Sequence, residues 1–275
     1  MRFETLNLQE QFPNLPHPAT LTAYLQDNSE EIAPNRKRPA VIICPGGGYH
    51  FRSDRENEPV ALALLARGYQ VFVLNYSVQV AYPAQLLEAA AAFALIRKNT
   101  DEFHVIPDAI SIMGFSAGGD VAATIGTLWQ EPVIKETLGI SANDARPDAL
   151  LLCYPVISGG EKAHRGSFDT VTGGDSKLLE KLSLENAVSA STPETFLWHT
   201  MTDDTVPVEN SLLFANALTA NGVKFELHIF PEGPHGLSLA TEATLSPSAN
   251  RLNPHAAQWF DLCDKFLKTK FAICD

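Results

Sequence analysis

The stretch Ile110-Ser111-Ile112-Met113-Gly114-Phe115-Ser116-Ala117-Gly118-Gly119 decides how this chain folds. A short apolar run with β-branched residues enters Gly-x-Ser-x-Gly, and Val121-Ala122-Ala123-Thr124-Ile125 follows. The order is strand, sharp turn, helix. A serine on such a turn is held in strained backbone geometry that carries its Oγ clear of the strand end. Gly114 and Gly118 leave room where a Cβ would collide with the neighbouring strand or helix. Because the turn opens a helix, the amide of Ala117 points towards any oxyanion forming at Ser116, and the helix dipole favours negative charge there. By itself the motif is a weak signal, since loops are rich in Gly and Ser. The rest of the chain must supply a base, an acid and further oxyanion donors.

Outward from this turn, strand and helix patterns alternate. Upstream, Ala40-Val41-Ile42-Ile43-Cys44 and Gln70 to Tyr76 are apolar runs expected of strands buried on both faces, with helices over Glu58 to Arg67 and Pro83 to Lys98. Arg2 to Leu8 and Ala19 to Leu25 alternate apolar and polar residues, which suits half-exposed antiparallel strands at a sheet edge. Downstream of a helix reaching about Trp129 and a loop, strands are expected at Ala149 to Pro155, Thr195 to His199 and Lys224 to Phe230, and helices at Glu209 to Ala220 and His255 to Lys268. This is the pattern of an α/β fold, a mostly parallel sheet with helices on both faces. Residues 1–275 read as one domain. Ser158 to Thr192 is polar, with a short amphipathic piece around Lys177 to Leu184, and too long for an ordinary connection, so an insertion or lid over the site is expected at about 158–192.

Composition narrows the function. A 275-residue chain that is 45% hydrophobic can bury a substantial core. Its net charge of −12 argues against nucleic acid or an anionic membrane as partner. Met1-Arg2-Phe3-Glu4-Thr5 lacks the apolar core of a signal peptide, and no apolar run reaches the roughly 18 residues of a spanning helix, so a soluble cytoplasmic protein is expected. Cys44, Cys153, Cys263 and Cys274 show no Cys-x-x-Cys spacing, and the first two sit in strand-like runs as buried thiols. No ligand cluster or dinucleotide fingerprint is present, so neither a metal nor an organic cofactor is expected.

A serine hydroxyl needs a base to become a nucleophile at neutral pH. His235, in Phe230-Pro231-Glu232-Gly233-Pro234-His235-Gly236, follows the last strand in a loop suited to presenting an imidazole. Of the other histidines, His199 and His228 lie in strands and read as structural, His17, His104, His164 and His255 have no comparable context, and His50 lies near a glycine loop, where it can line the pocket. An acid must orient the imidazole. Asp203 and Asp204 follow the strand ending at His199; adjacent aspartates before Val206-Pro207 also suit turn formation and helix capping, and spacing does not say which would serve the histidine. Gly46-Gly47-Gly48 after the third strand offers bare amides for an oxyanion.

With these residues assembled, the chain resembles the α/β-hydrolase serine esterases, the small bacterial carboxylesterases and acetyl xylan esterase-like proteins related to hormone-sensitive lipases. The resemblance covers most of the chain: Pro45-Gly46-Gly47-Gly48-Tyr49, Gly114-Phe115-Ser116-Ala117-Gly118-Gly119, His164-Arg165-Gly166-Ser167-Phe168, Phe196-Leu197-Trp198-His199-Thr200, Val206-Pro207-Val208-Glu209-Asn210-Ser211 and His235-Gly236-Leu237-Ser238. The chain order Ser, Asp, His agrees with it. The family pattern has its acid four residues beyond the histidine of the strand, which implies Asp203, and it implies the amides of Gly47 and Gly48 as oxyanion donors beside Ala117. The lipase-like relatives have His before the three glycines, whereas Pro45 stands here, so their loop-bracing hydrogen bonds do not carry over. Relatives with Pro there are small esterases, many associated with acetylated sugars.

The resemblance therefore implies a serine esterase of short-chain, especially acetyl, esters, with Ser116 as nucleophile, His235 as base and Asp203 as acid. Its partner would be a small ester, and many relatives form homo-oligomers. A peptidase of this fold is a rival, disfavoured because the long propeller-like N-terminal region of oligopeptidase relatives is missing. A non-catalytic ligand binder of this fold is another, and those usually lose the serine or histidine. An esterase for xenobiotics is a third.

Overall fold

A run such as Ala40-Val41-Ile42-Ile43-Cys44 has no polar side to offer water, so as a strand it needs cover on both faces. In the computed structural model, which describes residues 1–247 and 251–273, it has that cover. The strands are β1 (Arg2–Asn7), β2 (Thr20–Leu25), β3 (Arg38–Cys44), β4 (Gln70–Asn75), β5 (Val105–Phe115), β6 (Ala149–Cys153), β7 (Thr195–Thr200) and β8 (Phe225–Phe230). They form one sheet in the order β1-β2-β4-β3-β5-β6-β7-β8. β2 pairs antiparallel with β1 and β4, and the remaining pairs are parallel. The alternating N-terminal strands thus occupy one edge, as expected.

The α-helices are α1 (Leu8–Gln11), α2 (Glu58–Ala66), α3 (Ala84–Lys98), α4 (Ala117–Leu128), α5 (Pro132–Leu138), α6 (Ala142–Ala145), α7 (Arg165–Thr172), α8 (Ser176–Lys181), α9 (Glu209–Ala220) and α10 (Trp259–Lys270). Successive residues of β3 feed opposite layers. Ala40, Ile42 and Cys44 share a cluster with Ala90 and Phe93 of α3, Ala122 and Ile125 of α4 and Phe214 of α9. Val41 and Ile43 join Val60 and Leu64 of α2 and Trp259 and Leu267 of α10. Burying a Leu or Ile side chain contributes about 1.5–3 kcal/mol, so two filled layers hold the register firmly.

Two segments differ from expectation, and a third, 158–192, is described with them. The loop expected after α4 holds α5 and α6. Pro132 opens α5, and a reciprocal Ser141–Asp144 capping box starts α6, local devices that let short helices form. The terminal helix starts at Trp259, after a 3₁₀ turn over Ala256–Gln258. The stretch 158–192 carries α7, α8 and a 3₁₀ turn over Leu184–Asn186, and its Phe168, Val171, Leu182 and Leu184 enter the main core. It is packed down rather than standing free.

Cys44, Cys153 and Cys263 are buried free thiols, and Cys274 lies outside the described residues. Among the described residues, no helix is long and apolar enough to cross a membrane, and no group of three or more His, Cys, Asp and Glu is arranged to hold a metal ion.

Candidate active site

The strand register sets where the chemistry gathers. Cys44 lies opposite Gly114, Phe115 opposite Cys153, and Thr200 opposite Phe230, so the segments leaving β3, β5, β6, β7 and β8 emerge along one rim. Functional groups collect at this carboxyl end in open parallel sheets.

Ser116 sits at φ +53°, ψ −119°, between β5 and α4. A β-carbon on Gly118 would lie 2.0 Å from the Cys44 carbonyl oxygen, and one on Gly114 2.1 Å from that of Gly118. The glycines are therefore required by backbone approaching backbone, as the motif predicts.

Across from Ser116, His235 Nε2 is 2.8 Å from its Oγ, and His235 Nδ1 is 2.7 Å from Asp203 Oδ2. A carboxylate only accepts, so Nδ1 carries the proton and Nε2 is left to accept from Ser116. The His235 loop is tied to the β7–α9 loop by Gly233, whose carbonyl accepts from Thr200 Oγ1 at 2.8 Å and whose amide donates to Thr202 Oγ1 at 2.9 Å. The Tyr154 ring meets the imidazole edge-on, with centroids 5.2 Å apart.

Asp203 resolves the ambiguity of the paired aspartates. Its side chain is 1% exposed; Oδ1 accepts from the amides of Thr205 at 3.0 Å and Val206 at 2.9 Å, while Oδ2 faces His235. One residue both forms the turn and meets the histidine, and Asp204 is exposed. Burial pushes the Asp203 carboxyl upwards, but hydrogen bonds from His199 and His235 and from the Val206 amide overcome it and hold the group well below the usual carboxylate range. His199, expected as structural, is fully buried, accepts from Ser211 Oγ at Nδ1 and donates from Nε2 to Val206 O. Its Nε2 is also 3.3 Å from Asp203 Oδ2, so it belongs to the cradle of the acid as well. His228, by contrast, is half-buried and bound to Glu226.

Gly47 has φ +132°, and a β-carbon there would lie 2.2 Å from the Phe51 carbonyl oxygen. The amides of Gly47, Gly48 and Ala117 donate to no acceptor among the described residues. With Pro45 in place of histidine, the loop is braced otherwise: Tyr76 Oη donates to Pro45 O at 2.6 Å, and the Gly46 amide donates to Glu56 Oε2 at 2.8 Å. Tyr49, after the glycines, is buried and donates to Asp120 in the first turn of α4.

His164, read from its sequence context as unremarkable, belongs to the site. Its Cε1 and the Cδ2 of exposed His50 each lie 3.7 Å from where a Gly48 β-carbon would stand. His164 caps α7 through Nδ1, which lies 3.3 Å from the Ser167 amide. Burial, then the neighbouring His235, hold its pKa below the usual imidazole value. His50 lines the glycine loop as expected. Sequence reasoning also passed over Glu56 and Tyr154. Neither carries a local signal, because each is defined by partners on other loops.

Known proteins resemble this chain in sequence and in fold. A family model described as BD-FAE matches residues 26–155, and one for the prolyl oligopeptidase family matches residues 172–253. The chain is 35% identical over 218 residues to endo-1,4-beta-xylanase B of Butyrivibrio fibrisolvens, covering 76% of this chain and 34% of that one. It is 30% identical over 211 residues to an acetylxylan esterase of Xylanibacter ruminicola, covering 74% of this chain and 42% of the relative. The chain thus spans less than half the length of either. Among solved structures, an acetyl ester-xyloside bifunctional hydrolase from Caldicellulosiruptor lactoaceticus superposes with TM-score 0.84 at 40% identity, over 99% of this chain and 98% of the other. A carboxylesterase from Lactobacillus plantarum superposes with TM-score 0.88 at 30% identity, over 100% of both chains. On the sheet order, the serine turn and these relatives together, the chain belongs to the α/β-hydrolase family.

Proposed function

We propose that this protein is a serine carboxylesterase that hydrolyses short-chain esters, acetyl esters above all, with acetylated carbohydrate as the leading class of alcohol. The observation that carries the reading is His235 bridging Ser116 Oγ at 2.8 Å and Asp203 at 2.7 Å, beside amides with no acceptor of their own. Ser116 Oγ attacks the ester carbonyl carbon and its proton passes to His235 Nε2. The carbonyl π pair moves onto oxygen, where the amides of Gly47, Gly48 and Ala117 donate to it. The tetrahedral adduct collapses, the C–O bond to the alcohol breaks, and His235 returns the proton to that oxygen. Water then attacks the acyl-enzyme by the same route, releasing the acid and restoring Ser116. Asp203 keeps the imidazole in the required tautomer and stabilises the imidazolium.

The preference for acetate and for sugar rests on the acetylxylan esterase and the acetyl ester-xyloside hydrolase among the relatives. The stretch 158–192 acts as a wall or lid over the site, a role supported by His164 reaching the glycine loop. Buried free thiols at Cys44, Cys153 and Cys263 favour a reducing, cytoplasmic setting, which cell fractionation would test.

Hydrolysis of p-nitrophenyl acetate, butyrate and octanoate and of acetylated xylo-oligosaccharide by wild type and Ser116→Ala tests the reading. Acetate turnover that disappears in Ser116→Ala supports it. Activity retained by that variant, or octanoate outrunning acetate, overturns the mechanism or the substrate class respectively. The prolyl oligopeptidase match over 172–253 spans both Asp203 and His235 and favours a second reading, amide cleavage. Dipeptidyl p-nitroanilides cleaved faster than acetate would establish it.

A further inference from the structure

Glu56 is 2% exposed, lies in the 3₁₀ turn Asp54–Glu56 just beyond the glycine loop, and has no part in the reaction as written above. Its two carboxyl oxygens go to two different loops. Oε2 accepts from the Gly46 amide at 2.8 Å, and Oε1 accepts from Tyr154 Oη at 2.7 Å. Tyr154 Oη in turn accepts from the Ser238 amide at 2.9 Å, three residues beyond His235. Burial and then Glu56 push the Tyr154 phenol well above its usual range, so it remains a neutral donor. The preceding residue, Arg55, holds the same loop twice more: its carbonyl accepts from Ser238 Oγ at 2.6 Å, and its guanidinium donates to Gly236 O at 2.5 Å.

These bonds constrain the atoms that matter. Gly46 is fixed at its amide by Glu56 and at its carbonyl by the Ser53 amide, 2.9 Å away. The Gly46 carbonyl belongs to the same planar peptide unit as the Gly47 N–H, so holding that oxygen orients the Gly47 donor. At the other end, Tyr154 sets the loop that carries His235 and packs its ring edge against the imidazole. A group that accepts at both ends suits this post. A glutamine has one acceptor and one donor end, so it can satisfy Gly46 only by turning its amide nitrogen towards Tyr154.

We infer that Glu56, acting through Tyr154, is a positioning residue that sets the spacing between the oxyanion donors and His235, so that the two loops meet the reacting carbonyl in register. The inference rests on the esterase reading above.

The test compares wild type, Glu56→Gln, Glu56→Ala, Tyr154→Phe and Ser116→Ala on p-nitrophenyl acetate. Thermal melts and the affinity of an acetyl-mimicking trifluoromethyl ketone, which binds as the tetrahedral adduct, are measured on each active-site-intact variant. Glu56→Gln and Tyr154→Phe are expected to keep a cooperative melt and a KM within about threefold of wild type, and to lose about 10- to 10²-fold in kcat. That loss is smaller than the roughly 10²- to 10³-fold cost of deleting an oxyanion donor outright. Glu56→Ala should lose more than Glu56→Gln, and ketone affinity should fall with kcat/KM. If Glu56→Ala does not fold, the other two substitutions carry the test. Variants that melt lower yet keep kcat within about twofold, or that change KM alone, would make the carboxyl a structural staple and overturn the inference. Ser116→Ala separates the two levels: if it is dead while the Glu56 and Tyr154 variants keep full rate, only the positioning role fails. If wild type turns over no ester, both fall.

Discussion

The two ends of the parallel sheet are built from the same strands and do opposite things. At the amino ends of β5 to β8 lies a groove of about 720 Å³, lined by Asp108, Trp129, Arg146, Asp148, Glu194 and Lys270 among others. Several of its charges are paired: Asp148 with Arg97 at 3.0 Å and with Arg146 at 3.5 Å, and Lys270 with Glu194 at 3.3 Å. At the carboxyl ends, Tyr49, Ser116, Tyr154 and Ser238 all have positive φ although none is glycine. At the amino end, His104 ahead of β5 and Ala272, next to the groove residue Phe271, are such residues. Strained backbone persists only where surrounding contacts over-determine it, and here those contacts converge on one serine. The combination of strained backbone and unpaired amides is what marks this site.

The sharpest way to break that contrast is the acid. Asp203→Asn should reduce kcat by about 10⁴-fold, because the amide favours the wrong imidazole tautomer, while Asp204→Asn stays within about twofold. Steady-state rates on p-nitrophenyl acetate decide it, and equal losses in both variants would mean that the geometry misassigns the acid. Next in size, Gly47→Ala forces a β-carbon to within 2.2 Å of the Phe51 carbonyl oxygen from a backbone at φ +132°. The loop must move, and a loss of about 10²- to 10³-fold in kcat with little change in KM is expected.

A smaller effect probes what lies beneath the rim. Burial raises the carboxyl of Asp120 to about 7 despite the hydrogen bond from Tyr49, and burial likewise raises Glu88 to about 7. Their unfolded values are about 4, so between about pH 4 and pH 7 the unfolded chain has released protons that the folded chain still holds. These two groups therefore make stability fall as pH rises through that window. Asp120→Asn removes one of them, and its Tm relative to wild type should rise from about pH 4.5 to about pH 8. A Tm difference that is flat across this range would show that Asp120 ionises in place without penalty.

The smallest effect belongs to the opposite end of the sheet. Arg146→Ala should leave kcat/KM on p-nitrophenyl acetate within about twofold and stability within about 0.5 kcal/mol, since its pair with Asp148 is long and its side chain is 47% exposed. A loss of tenfold or more would give the amino-end groove a share in the chemistry and dissolve the comparison.

What the sequence determined by itself was local or periodic. Gly114 and Gly118 specify their turn because collisions only a few bonds or one strand away forbid a side chain at either position. The apolar runs of β3 and β4 require two covered faces whatever their neighbours are, and the Gly/Pro-rich loop marked His235 out from the other histidines. The tertiary structure decided the rest. It carried His164 to the glycine loop, drew 158–192 into the core, and joined Glu56 to Tyr154 across 98 residues of chain. Each of these depends on which strand ends stand side by side and on directional bonds formed over about 3 Å. No spacing along the chain encodes that until the sheet has assembled.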